Sequence, residues 1–405
     1  MSRRERNAKR EARIQKKREA RKNKKLTSKL KVPSGLGIFF SGFDYTVVIM
    51  IFILSIFGMA MVFSAGYYTT VTENAGAMYY LKRQAFFFLT GLGFLFFFAN
   101  YDYHRFARYS NILMVVSLAL LCAVLLVGQT VNGATRWIGI GSFRFTPSEL
   151  SKIFMIIFTA GYLSSDTEAI KKKENIIMLF AVMIAHVGLI MMQPNLSTAI
   201  VIAFIMFAIM FVAGLNTKYI LGLGAAGGLL LAWIMIFKRD GHWYARLTNW
   251  IDPFADAQGD GYQVSQSIIA LGNGGLKGLG FGKSISKNLY LPEPTNDFIL
   301  AIIGEELGFI GFIVLMILYF VLLFRLIMIA LKAKDKLGFY LATGVAVMLG
   351  LQVIINVAVV TASMPATGIT LPFISYGGTS IWSFMIAMGI ALNVSRKRET
   401  RRVTS

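Results

Sequence analysis

The chain has 405 residues, of which 56% are hydrophobic and only 15% charged, with a formal net charge of +21. Apolar segments recur along almost its whole length, which excludes a soluble globular protein and marks a polytopic membrane protein. Continuous apolar runs of roughly 18 or more residues select helices over a barrel of short alternating strands, so the fold class is an all-α transmembrane bundle.

In chain order, residues 1–31 carry 15 of the 41 Lys and Arg but only three acids, Glu5, Glu11 and Glu19. Such an arm reads as a solvated tail drawn to anionic lipid. No aromatic residue precedes Phe39, which argues against nucleic acid as a partner. The charged stretch is too long for a cleavable leader. Ten spans are predicted, at roughly 44–63, 82–99, 109–128, 147–163, 175–192, 197–214, 219–237, 298–325, 338–361 and 376–394. The expected domains are a basic tail over 1–42, a membrane domain over 43–395 and a second basic tail over 396–405.

An even span count puts both termini on one side, and the basic tail makes that side cytoplasmic. Arg105, Arg108, Lys171–Lys173, Lys218, Lys332, Lys334, Lys336 and Arg396–Arg398 fall inside, while 64–80, 193–196 and 362–375 carry no Lys or Arg. The loop 129–145, with Arg136 and Arg144, breaks the pattern and invites a functional reason. The long loop 238–297 is then extracytoplasmic. Its amphipathic piece 262–269 is expected to lie at the interface.

Asp297, at the mouth of an apolar helix, stands at the water-to-lipid boundary, where an enzyme acting on a membrane-bound polar substrate keeps a base. The plainer reading is a helix cap by Asp297 or Asn296. Glu149 and Lys152 share a face at the start of the fourth span, with Pro147 in its first turn and Thr146 as cap. They either line a cavity or pair to orient two helices. Glu305 and Glu306 read as structural pairing, with Glu306 pointing away from the Asp297 face. Arg83, Arg136 and Arg246 are the outward cations placed to meet an anionic headgroup, and snorkelling accounts for Arg325.

Several chemistries are excluded. Gly278–Ser284 looks like a phosphate loop, but Lys277 stands where the first glycine belongs, so it reads as flexible backbone. His104, His186 and His242 are dispersed, which disfavours a histidine metal site. No Gly-x-Ser-x-Gly elbow occurs, and Cys122 is the single cysteine.

Six blocks then stand in register: Asn132–Ile138, Pro147–Lys152, Gln193–Thr198, Gly261–Gln263 with Gln266–Ser267, Leu291–Gly308 and Leu371–Ser380. Through them the chain resembles the SEDS family of cell-wall glycosyltransferases, whose members include FtsW, RodA and SpoVE, over residues 40–396. The run Gly280–Lys287 is more similar to the FtsW/SpoVE branch. The resemblance implies polymerisation of lipid II into glycan strands at the outer face of the bacterial cytoplasmic membrane, for division or sporulation. It implies Asp297 as the essential carboxylate, and Arg83, Arg136, Glu149, Lys152, Arg246, Gln263 and Ser267 around the substrate. A divalent cation, Mg²⁺ or Mn²⁺, with Asp297 as a possible ligand, and a class B penicillin-binding protein within the divisome are implied as well. Asn296, Thr146, Asn195 and Ser197 depart from the family's usual Thr, Gln, Asp and Gly. The alternatives from other classes are a lipid II flippase and a non-catalytic scaffold.

Overall fold

The computed structural model describes residues 42–72, 74, 76–131, 134–140, 143–166, 168–219, 222, 250–255, 259 and 261–403. The described residues from Asp44 onward belong to one compact unit. Its helices are α1 (Tyr45–Thr72), α2 (Tyr79–Asn100), the short α3 (His104–Arg108), α4 (Ser110–Val127), α5 (Pro147–Ser165), α6 (Lys173–Met191), α7 (Leu196–Val212), α8 (Tyr262–Gly274), α9 (Ile299–Leu331), α10 (Lys336–Val360) and α11 (Gly378–Val403). Each expected span holds one of them except 219–237, most of which lies outside the described residues, as does much of the long loop up to residue 260.

Among the described residues, α1, α2, α4, α6, α9, α10 and α11 are long and apolar enough to cross a membrane. On α9, Ile313, Ile317, Phe320, Phe324 and Ile327 stay exposed. Their spacing makes one stripe, which only lipid or another apolar surface would cover. The inward faces make the core, and α5 runs through it against α4, α7, α10 and α11 with Met155, Ile156 and Phe158 buried.

Within 129–145, expected as a loop, the described residues form an antiparallel sheet in the order β1 (Gln129–Val131), β2 (Ala134–Ile140), β3 (Phe143–Phe145). Val131 pairs with Ala134, and Ile138 with Phe145. The signal was present: Asn132-Gly133 is a hairpin dipeptide flanked by Thr, Val, Trp and Ile, all strand formers. Arg325 also departs from its snorkelling reading. Its Nη2 donates to Asp44 Oδ2 at 2.6 Å, and Asp44 is buried, so the cation answers a carboxylate.

The decisive irregularity is in α9. At Gly308 (φ 66°, ψ −169°) the backbone leaves the helical region, so residues 299–307 and 309–331 are separate helices. Lipid offers no partners to the peptide groups such a break exposes. The glycine-rich segment after α8 supplies them: Leu279 and Gly280 N–H donate to the carbonyls of Glu305 and Glu306 at 3.0 and 2.9 Å, and Phe309 N–H donates to Gly275 O at 2.9 Å. A Cβ on Gly278 would meet Glu306 O at 2.2 Å, and one on Gly308 would meet Gly278 N at 2.3 Å, so glycine is required at both. Residues 278–284 are thus a plug in a broken helix, not flexible backbone. α8 packs against α9 and α10, its small residues Ser265, Ser267, Ala270 and Gly274 buried.

Candidate active site

Asp297 stands just before α9, whose N-cap position is Phe298. The backbone of 295–297 is held by three residues. Asn356 Nδ2, on α10, donates to Asp297 O at 2.8 Å and to Ile369 O at 2.7 Å. Ser375 Oγ donates to Asn296 O at 2.7 Å, and Tyr376 N–H to Thr295 O at 2.9 Å. The connection between α10 and α11 thereby fixes the chain just before the carboxylate, and α10 fixes Asp297 itself.

The side chain turns toward Gly368, whose φ is +74°. A Cβ built there would lie 3.3 Å from Asp297 Oδ2 and 3.7 Å from Arg136 Nη1. Residues distant in sequence therefore meet over one glycine. Arg136 reaches this point from β2, its Nε and Nη2 donating to the carbonyls of Gln193 and Pro194. The N-terminal dipole of α9 and the guanidinium both favour negative charge here.

The Glu149–Lys152 pair sits deeper. Lys152 Nζ donates to Glu149 Oε2 at 2.8 Å and to Gln352 Oε1 at 3.0 Å, with its side chain only 1% exposed. Ser383 Oγ donates to the same Glu149 oxygen at 3.3 Å. Gln352 is one turn from Asn356 on α10, so the pair lies about 6 Å along the helix axis from the Asp297 anchor. Thr146 occupies the N-cap position of α5 but makes no side-chain cap bond.

Arg83 is half-buried, lies 5.4 Å over the Tyr79 ring and donates to its hydroxyl. Neighbouring Tyr80 meets Tyr376 edge-on at 4.9 Å, which places this stretch of α2 behind the Thr295–Asn296 anchor. Gln263 is half-buried on α8. Ser267 is fully buried and donates to Val360 O at 2.8 Å, so its hydroxyl serves the α8–α10 contact. Arg246 and His242 lie outside the described residues.

The departing residues have work of their own. Asn195 Oδ1 accepts from Thr198 N–H at 3.4 Å and caps α7, and Ser197 donates to the carbonyl of Thr367, next to Gly368. Sequence reasoning missed Asn356 and Gly368. The signal for Asn356 is an amide inside an apolar span; for Gly368 there is none short of the fold.

Four buried oxygens on residues next to these contacts, Asn296 Oδ1, Asn356 Oδ1, Thr367 Oγ1 and Gln193 Oε1, have no hydrogen-bond partner among the described residues. Each such acceptor costs about 1–3 kcal/mol until a donor arrives, so the lining favours a ligand rich in hydroxyl or amide hydrogens.

A family model described as "Cell cycle protein" (FTSW_RODA_SPOVE) matches residues 45–400. Stage V sporulation protein E of Bacillus subtilis (strain 168) is 39% identical over 356 residues, covering 87% of this chain and 97% of the relative. A probable peptidoglycan glycosyltransferase FtsW of Geobacter sp. (strain M18) is 34% identical over 359 residues, covering 88% and 97%. Among solved structures, one described as structural coordination of polymerization and crosslinking by a peptidoglycan synthase complex aligns with a TM-score of 0.73 at 30% identity, over 89% of this chain and 99% of that one. Rod shape determining protein RodA of Thermus thermophilus aligns with a TM-score of 0.66 at 28% identity, over 89% and 98%. The broken helix, the anchored carboxylate and these matches lead to one conclusion: the chain belongs to the FtsW/RodA/SpoVE family of multi-pass membrane proteins.

Proposed function

We infer that the protein is a peptidoglycan glycosyltransferase that polymerises lipid II at the outer face of the cytoplasmic membrane, in division or sporulation. The observation that carries this reading is the convergence of Asp297 and Arg136 over Gly368, in a lining of unmet acceptors. Asp297 takes the proton from the acceptor sugar's hydroxyl, and that oxygen attacks the donor's anomeric carbon with inversion as undecaprenyl pyrophosphate leaves. Arg136 and Arg83 offset the charge that grows on the leaving group. Lys152, already spent on Glu149 and Gln352, acts by holding α5, α10 and α11 together beneath the site. One carboxylate suffices, because pyrophosphate departs without help from a protein acid.

A divalent ion, Mg²⁺ or Mn²⁺, fits this lining. Among the described residues no three His, Cys, Asp or Glu side chains gather into a protein cage. The Asp297 carboxylate with the unmet oxygens of Asn356 and Thr367 suits a hard ion that takes its other ligands from phosphate and water. Such an ion supplies charge neutralisation at the pyrophosphate. The working assembly pairs this chain with a class B penicillin-binding transpeptidase, and both termini face the cytoplasm.

The test is glycan-ladder formation by the purified full chain from labelled lipid II, with metal and transpeptidase each added or omitted. Wild type gives ladders and Asp297→Ala gives none. Undiminished ladders from Asp297→Ala would remove Asp297 as base. No ladders under any condition, with headgroup movement in sealed vesicles, would favour a flippase; neither would favour a scaffold.

A further inference from the structure

Beneath Asp297, the two carboxylates at the end of the first half of α9 are spent on one loop. Glu306 accepts from Lys287 Nζ at 2.8 Å, Ser64 Oγ of α1 at 2.6 Å and Gly282 N–H at 2.9 Å. Glu305 accepts from Ser286 Oγ and N–H at 3.1 and 3.2 Å, from Asn273 Nδ2 of α8 at 3.2 Å and from the Ser284 hydroxyl. Both glutamates are 0% exposed and Lys287 is 5% exposed. Glu306, expected to pair structurally and to point away from the Asp297 face, ties the loop to α1.

Two carboxylates with one ammonium are a costly way to pack a bilayer interior, since apolar residues of equal volume fill such space as well or better. Charges kept there are positioned for a task. The task is visible in the path of the chain. The loop 279–298 leaves the carboxyl end of the half-helix 299–307 through the Leu279–Glu305 backbone bond, folds back over it, and returns to its amino end at Asp297. Residues 298–303 are buried, so the half-helix has no freedom sideways. Its amino end is tied by Asn356 and Ser375, and its carboxyl end by the plug at Gly308 and the carboxylate clamp.

We propose that Glu305 and Glu306, clamped by Ser64, Asn273, Ser284, Ser286 and Lys287, are positioning residues that set the depth and facing of Asp297 against Arg136. The proposal rests on Asp297 being the base. A shift of about 1 Å at a reacting group costs on the order of 10²-fold in rate, so loosening the clamp lowers kcat while leaving substrate contacts in place.

The experiment uses the full chain in lipid nanodiscs. It compares wild type, Ser286→Ala, Lys287→Arg, the charge-neutral pair Lys287→Met with Glu306→Gln, and Asp297→Asn. Read out are thermal unfolding, kcat and KM for lipid II, and amide hydrogen exchange over 279–298. The expected result is a fall of about 10²-fold in kcat for the neutral pair and a smaller fall for Ser286→Ala. KM and unfolding temperature stay near wild type, exchange rises over 279–298 but not over α10, and Lys287→Arg restores most of the activity. The proposal is overturned if kcat stays at the wild-type level while Asp297→Asn is dead, or if kcat falls only in step with unfolding temperature. Equal activity of Asp297→Asn and wild type overturns the functional reading itself, and the proposal with it.

Discussion

At Gly368 one hydrogen atom separates a working site from a blocked one. With φ at +74°, any L side chain there is strained by about 1–2 kcal/mol, and its Cβ would stand 3.3 Å from Asp297 Oδ2. Gly368→Ala is therefore expected to fold, with a modestly lower unfolding temperature, and to lose more than about tenfold in glycan synthesis. Ladder assays beside a thermal melt check this; wild-type activity would mean that the glycine is only a turn residue. The neighbouring residues show how far the chain alone could be read. Asp297 was legible as a carboxylate at a lipid boundary, and Glu149 with Lys152 as an i, i+3 pair. That Asn356 holds the Asp297 carbonyl, or that Ser197 supports Thr367, depends on contacts between distant segments that no local pattern encodes.

Elements here are fixed mainly at their ends. α10 begins at Asp335, whose Oδ1 accepts from Gly338 N–H at 2.7 Å while Oδ2 accepts from the Tyr103 hydroxyl at 2.7 Å and lies 3.0 Å from His104 Nε2. Partial burial pulls the Asp335 pKa upward, but these hydrogen bonds and the nearby His104 outweigh it, so it lies below its ordinary value of 3.8. A depressed carboxylate stabilises fully above its unfolded pKa, and that contribution disappears as pH falls through the lower folded value. Asp335→Ala should cost about 1 kcal/mol at neutral pH through the lost cap. The gap in unfolding temperature from wild type should narrow below pH 3.8. A gap constant between pH 7 and pH 3 would assign the cost to packing alone. The break in α9 is the opposite kind of end, made inside an apolar run. From residue 299 onward the sequence reads as continuous helix, and only the plug from 275–280 lets Gly308 leave it.

For the molecule as a whole, lipid decides what is exposed and charge decides which way it faces. The connection holding Ser363 and the one holding Lys334 leave opposite ends of α10, and both residues are exposed. In a Cys122→Ser background, Ser363→Cys is expected to react with an impermeant maleimide on intact cells, and Lys334→Cys only after lysis. The reverse pattern would invert the orientation and put Asp297 in the cytoplasm, away from any exported lipid-linked sugar.

Hydrophobic run length and composition determined by themselves that this is a helical membrane protein, because in lipid every backbone group must be satisfied within its own segment. The order of polar blocks at span mouths determined the family and the residue to watch. The tertiary structure alone decided that Arg136 meets Asp297 over Gly368, that α9 is broken, and that 278–287 plugs and clamps the break. These features rest on backbone groups and buried charges finding partners far along the chain. Such partners exist only once the helices have packed.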